Sequence, residues 1–306
     1  MAGGLLTYLF SKIDWIYFKD SIKGADVILI VIPALAAYLS VYISVLKWNL
    51  FLKNYGIVVK KLKLYSIYSI STFFNNFLPT TIGGDLYRVI ALSKKFKDMK
   101  KEIISSIVLE RGFGFLSLFL INFLLIPFYF QYLISNRNFL LIQILILFAF
   151  IGIIFFIFKP YFLIKLKNKI IKKDISIINK FYNLVLSIKD IKSRKTILYG
   201  LFNSVAFCLL IAIARYILFF AFGVQVDFFY ILLASSITQI IGILPISLNS
   251  IGVTEGLSVF LFSLIGVPIE ISLMVALVGR VSMLVTSSLG GLFYFFDINE
   301  KRSNFE

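Results

Sequence analysis

Six ionisable side chains sit where the surrounding sequence is apolar: Asp85, Glu110, Arg111, Arg215, Glu255 and Arg280. A charge at the centre of a membrane helix costs roughly 2.5 to 3.5 kcal/mol on insertion scales, so such groups face a partner or a wet cavity. A guanidinium offers a planar fork of donors that matches a phosphate, and it stays charged when partly desolvated. The chemistry expected of the three arginines is therefore phosphate binding. The structural alternative is that each pairs with Glu110, Glu255 or Asp85 to hold helices together.

Each acid also has two readings. Asp85 follows Gly83 and Gly84, so it either N-caps a returning half-helix or projects from a hairpin tip towards Arg111 or a cationic headgroup. Arg88, one turn on, is expected to snorkel to the membrane surface. Glu255 lies near the start of a second half-helix, where the positive dipole end favours an acid with or without a ligand. Glu110 cannot meet the adjacent Arg111, because neighbours on a helix point about 100° apart, and must reach another partner. Asn75, Asn76 and Gln239 are expected to make polar contacts between helices.

Composition excludes much else. Of the 306 residues 60% are hydrophobic and the mean hydropathy is +0.95, against roughly 45–50% apolar content in soluble domains. The expectation is an all-α polytopic protein of the cell membrane. With no His and the single Cys208, neither a zinc site nor a disulfide framework is expected, and no cofactor or metal. No GxxxxGK[ST] phosphate loop and no paired-carboxylate metal motif is present, so an enzyme is not expected. The net charge of +16 is concentrated in a few loops, the pattern of cytoplasmic loops rather than of a nucleic-acid binder.

The elements that must position the charges follow from hydropathy and loop charge. Residues 2–10 are too few to cross about 30 Å of hydrocarbon, and residues 11–26, with three Lys, three Asp, Trp15 and Tyr17, suit an interfacial helix. Residues 27–46 span, with Pro33 as an expected kink, and lead to a loop at 47–63 holding Lys47 and four further Lys. Residues 64–87, broken at Pro79, Gly83 and Gly84, lie between that loop and the basic run at 94–101. Equal charge on both flanks predicts a re-entrant hairpin from the cytoplasm.

Residues 103–130 span outward and 139–158 return. Residues 159–195 carry eleven Lys or Arg against Asp174 and Asp190, with apolar positions at three- and four-residue steps. That pattern predicts an amphipathic linker on the cytoplasmic surface, near anionic headgroups. Residues 196–222 span outward. Residues 228–266, broken from Pro245 to Gly252, form a second hairpin with flanks free of Lys and Arg, and 271–296 cross inward to a cytoplasmic C-terminus.

Residues 27–130 and 196–296 thus read alike with directions reversed: span, re-entrant broken hairpin, span. Residues 131–195 connect these halves within a single membrane domain, 1–306. Arg111 lies 32 residues after Pro79, and Arg280 lies 35 after Pro245; Arg215 matches this repeat poorly. Paired interrupted segments in two inverted halves point to a transporter with its site between them.

The set WNLFLK, NNFLPTTIGGDLYR, LERGFG, LPISLNSIGVTEG and the late Arg280 resembles the transmembrane flippase-like domain of lysylphosphatidylglycerol synthases and its stand-alone relatives. The similarity runs from about Val27 to Phe296. It implies movement of lysylphosphatidylglycerol, another anionic phospholipid or a lipid-linked headgroup between leaflets. The chain ends at Glu306 with no aminoacyl-transfer domain, so lipid synthesis is not expected. The competing expectation is a membrane subunit that scaffolds or regulates a lipid-modifying or glycan-assembly enzyme through the basic surface at 159–195.

Overall fold

The computed structural model describes residues 11, 13–77, 83–158, 191, 193–243 and 247–303. Pro79, Pro245, residues 2–10 and nearly all of the basic linker at 159–195 lie outside them. Every regular element among the described residues is helical. In chain order these are α1 (Trp15–Lys23), α2 (Val27–Asn54), α3 (Lys61–Phe77), α4 (Gly83–Ser93), α5 (Lys100–Leu125), α6 (Phe130–Ser135), α7 (Arg137–Phe158), α8 (Arg194–Ala221), α9 (Phe228–Gly242), α10 (Val253–Ser263) and α11 (Ile269–Ser303).

Among the described residues four stretches are long and apolar enough to cross a membrane: Val27–Asn54, Lys97–Tyr132, Arg194–Ala221 and Ile269–Phe296. They match four of the expected spans. Leu35, Leu124 and Phe202 are exposed on them, an outward apolar surface that water would not tolerate and lipid does.

Local chemistry sets the boundaries. Asp26 starts α2 by accepting from the Ile28 amide at 2.9 Å, and Asp227 starts α9 by accepting from Tyr230 at 2.8 Å. Pro127 lacks an N–H, and α5 gives way there to the 3₁₀ turn Ile126–Tyr129. One boundary corrects the sequence reading. The helix α2 continues through Pro33 to Asn54, so Lys47 is not in a loop; it lies inside the helix and is 5% exposed. The run of lysines suggested a loop, but the apolar WNLFL stretch keeps the helical stripe buried as far as Leu52.

The long helices are interleaved. The α2 and α8 helices pack on each other, α3 packs on α11, and α9 packs on α5. Exchanging α2, α3, α4 and α5 for α8, α9, α10 and α11 maps each substantial contact among these eight helices onto another substantial contact. Several buried cores result. Phe219, Ile231, Leu261 and Phe262 belong to the largest, and Trp48, Leu52, Leu64 and Ile103 to the next.

Candidate functional site: a cavity between the two broken helix pairs

The α3–α4 pair is held close by glycine. A Cβ on Gly84 would stand 2.1 Å from the Ser71 carbonyl oxygen, so no larger residue fits, and the Gly84 amide donates to Asn75 Oδ1 at 3.0 Å. This crossing puts Asp85, in the first turn of α4, against α5. There Arg111 grips both carboxylate oxygens: Nη2 donates to Oδ1 at 2.9 Å, and Nε lies 2.7 Å from Oδ2. Asp85 is therefore engaged by side chains rather than acting as a simple cap.

The second pair uses positive φ instead. Asn249 (46°), Ser250 (56°) and Gly252 (83°) turn the backbone before α10, and the Ser250 hydroxyl donates to the Gly242 carbonyl. Glu255 caps the start of α10 and also meets an arginine. Its Oε2 accepts from the Gly252 amide at 2.7 Å, and its Oε1 accepts from Arg280 Nε on α11. Arg280 also donates to Thr254 Oγ1 at 2.7 Å and to the Asn249 carbonyl at 3.3 Å. Each short returning helix thus carries a first-turn acid bound to an arginine 25 or 26 positions later.

Glu110 finds a different partner from Arg111, as its helical direction requires. Arg88 Nη1 and Nη2 both donate to Glu110 Oε2 at 2.9 Å, Tyr68 donates to Oε1 at 3.1 Å, and Lys47 Nζ lies 3.7 Å away. Arg88 is a correction to the sequence reading: it does not snorkel but is 2% exposed, stacked 4.0 Å over Trp48 and 4.6 Å over Tyr68. Facing inward, it completes a charged row, Lys47, Glu110, Arg88, Asp85 and Arg111.

Two of the three polar amides reach another element as expected, and Gln239 does not. Asn75 holds Gly84, Asn249 Nδ2 donates to Asn76 Oδ1 at 3.2 Å, and Gln239 bonds along its own helix to the Ser235 carbonyl. The structure adds Gly290 and Gly291, which the sequence reading passed over. A Cβ on Gly290 would lie 1.9 Å from the Ser69 carbonyl oxygen, and one on Gly291 would lie 2.9 Å from Phe73, so α11 touches α3 backbone to backbone. The Gly-Gly step itself, like Gly83–Gly84, was the available signal.

These groups surround one cavity of about 630 Å³. Lys47, Glu110, Arg111, Arg215, Glu255 and Arg280 all contribute to its wall. That volume is within the roughly 300–1,000 Å³ of small-molecule sites. The Arg111 side chain is 41% exposed and lines this space, as does Arg280 at 16%. Arg215 also faces the cavity, and its Nη1 donates to Ser235 Oγ at 3.2 Å. All six sequence candidates are thereby brought to one place; Asp85 alone reaches it through Arg111. Among the described residues no three His, Cys, Asp or Glu side chains cluster as metal ligands.

A sequence model described as the lysylphosphatidylglycerol synthase TM region matches residues 1–291. The chain belongs to that family. Three UPF0104 membrane proteins are similar along most of their length. The one from Pyrococcus horikoshii is 24% identical, covering 91% of this chain and 90% of its own. The one from Methanocaldococcus jannaschii is 26% identical over 84% and 82%. The Methanothermobacter thermautotrophicus protein is 20% identical over 89% and 86%. No solved structure gives a significant match. Family membership is consistent with a lipid-related role in the membrane, and it covers both broken helix pairs and all six cavity charges.

Proposed function

We propose that the protein is a flippase or facilitator that moves an anionic or aminoacylated phospholipid, or a lipid-linked headgroup, between leaflets. The observation that carries this reading is the cavity itself: arginines from three different long helices line one space bounded by both broken helix pairs. Non-helical backbone at membrane depth is stable only where protein or a wet cavity covers it, which suits a substrate path. The headgroup enters the cavity while its acyl chains stay in lipid. The exchange pattern of helix contacts supports two structurally related halves, 27–130 and 196–296, and the loop charges support their inverted orientation. Rocking one half against the other then exposes the site alternately, with the C-terminus on the cytoplasmic side.

Reconstitution tests the proposal. Liposomes holding the protein and a short-chain fluorescent phosphatidylglycerol or lysylphosphatidylglycerol are quenched from outside, and the rate at which inner-leaflet label becomes accessible is measured. The expected result is a rate at least tenfold above empty liposomes, reduced by Arg111→Ala and by Arg280→Ala. Rates equal to empty liposomes for both lipids overturn the reading.

A further inference from the structure

Charge pairing in the cavity leaves one group over. Three acids and five cations make up the charged wall and the row behind it: Asp85, Glu110 and Glu255 against Lys47, Arg88, Arg111, Arg215 and Arg280. Every one of the acids is already bound. Asp85 is held by Arg111, Glu110 by Arg88 with Lys47, and Glu255 by Arg280. Arg215 is the exception among the arginines: among the described residues no carboxylate lies within ion-pair distance of it, and its hydrogen bond goes to a neutral hydroxyl, that of Ser235. Residues 78–82 (LPTTI) and 244–246 (LPI) carry no charge in the sequence.

We infer that Arg215 is the cavity's anion-binding group and that it takes a phosphate diester headgroup bearing no ammonium. The inference rests on the transport reading and narrows it from anionic or aminoacylated lipids to plainly anionic ones. A guanidinium has five N–H donors, and Ser235 occupies one, so the fork is free to grip two phosphate oxygens side by side. Ser235, 1% exposed on α9, holds one end of the guanidinium through that hydrogen bond, and Arg215 and Thr238 both line the cavity. An aminoacyl headgroup meets the opposite situation. Its ammonium groups find no uncommitted carboxylate, and they face a wall with two positive charges in excess.

Binding to the purified full-length chain in detergent decides the matter, at matched ionic strength. The probes are dihexanoyl phosphatidylglycerol, its lysyl ester, dihexanoyl phosphatidylcholine and inorganic phosphate. The expected result is that phosphatidylglycerol binds at least tenfold tighter than the lysyl ester or phosphatidylcholine. Arg215→Gln should lose at least tenfold of that affinity, and Arg215→Lys should retain most of it. Lysyl ester binding as tight as phosphatidylglycerol, or unchanged affinity in Arg215→Gln, overturns the inference. If Arg215→Gln fails to fold, the four-ligand comparison on the unaltered chain carries the decision. Inorganic phosphate binding as tightly as phosphatidylglycerol overturns the lipid assignment and makes the occupant a soluble anion. Tight phosphatidylglycerol binding through Arg215 with no lipid exchange in liposomes supports this site and overturns only the transport reading.

Discussion

Asn76 and Asn249 are 173 positions apart, and their side-chain amides meet at 3.2 Å, the point where the ends of the two broken helix pairs touch. Asn249 also lends its carbonyl to Arg280, so this contact adjoins the Glu255–Arg280 pair. Any motion that opens the cavity between the pairs has to part these amides. With Cys208 replaced by Ser, Asn76→Cys and Asn249→Cys joined by a short thiol linker are expected to slow lipid exchange in liposomes at least tenfold. The unlinked double variant should exchange normally, and full activity after linking would show that the tips do not separate during turnover.

The two acid–arginine pairs differ in how much each acid depends on its arginine. Glu255 is 3% exposed with Arg280 as its cation, whereas Asp85 is 22% exposed and keeps Arg88 at 3.6 Å if Arg111 is lost. Stranding a buried charge costs about 3–5 kcal/mol, and breaking a partly exposed pair costs about 1 kcal/mol or less. Arg280→Ala is therefore expected to lower the melting temperature in detergent far more than Arg111→Ala, although both reduce exchange. Equal melting shifts would contradict this difference.

Arg88 tests whether a buried guanidinium is replaceable by another cation. Its two terminal nitrogens share Glu110 Oε2, and its plane lies over Trp48. A lysine supplies neither the fork nor the flat face. Arg88→Lys is expected to cost about 2 kcal/mol despite conserving charge, from the lost second charge-assisted bond and stacking. The readout is thermal unfolding followed by near-ultraviolet dichroism, where Trp48 also reports the loss of its neighbour.

Glycine substitutions on α11 should separate packing from site. The backbone of α3 leaves no space at Gly290, where Gly290→Ala is expected to destabilise by about 1–3 kcal/mol or prevent folding. Gly279 borders the cavity with no atom within 4 Å of a Cβ placed there, and Gly279→Ala should leave the melting temperature unchanged. Comparable losses at both positions would argue against the close α3–α11 contact.

Orientation is a separate matter from packing. Single cysteines at Thr81 and Asn249, in a chain with Cys208 replaced, are expected to react with impermeant maleimide from opposite sides of the membrane. Labelling of both from one side would rule out the inverted arrangement of the two halves.

Which side chains matter was legible in the sequence, because a charge inside an apolar run stands out against its cost in lipid. The pairing of Asp85 with Arg111 was one of two readings, whereas the partners of Glu110 and Glu255 were not legible. Those pairings depend on how α4 lies across α5 and α10 across α11, and that is decided by Gly84 on one side and by the left-handed turn at Asn249, Ser250 and Gly252 on the other. Arg88 and Lys47 were misplaced for one shared reason. Both adjoin lysine-rich runs, and local charge density says surface, while the helical register turns these two side chains inward towards Glu110. The Gly290–Gly291 step marks a place of close approach, but only the folded chain shows that the approaching backbone is that of Ser69 on α3.

The interleaving of helices also bears on how the chain is made. Because α3 rests on α11 by way of Gly290, the first broken pair has no finished seat until the last helix of the chain has entered the bilayer. During synthesis the earlier helices must wait in the membrane with that face uncovered. Truncation after α10 should therefore leave an amino-terminal fragment that is inserted but readily degraded, and supplying α11 as a separate peptide is the natural way to rescue it.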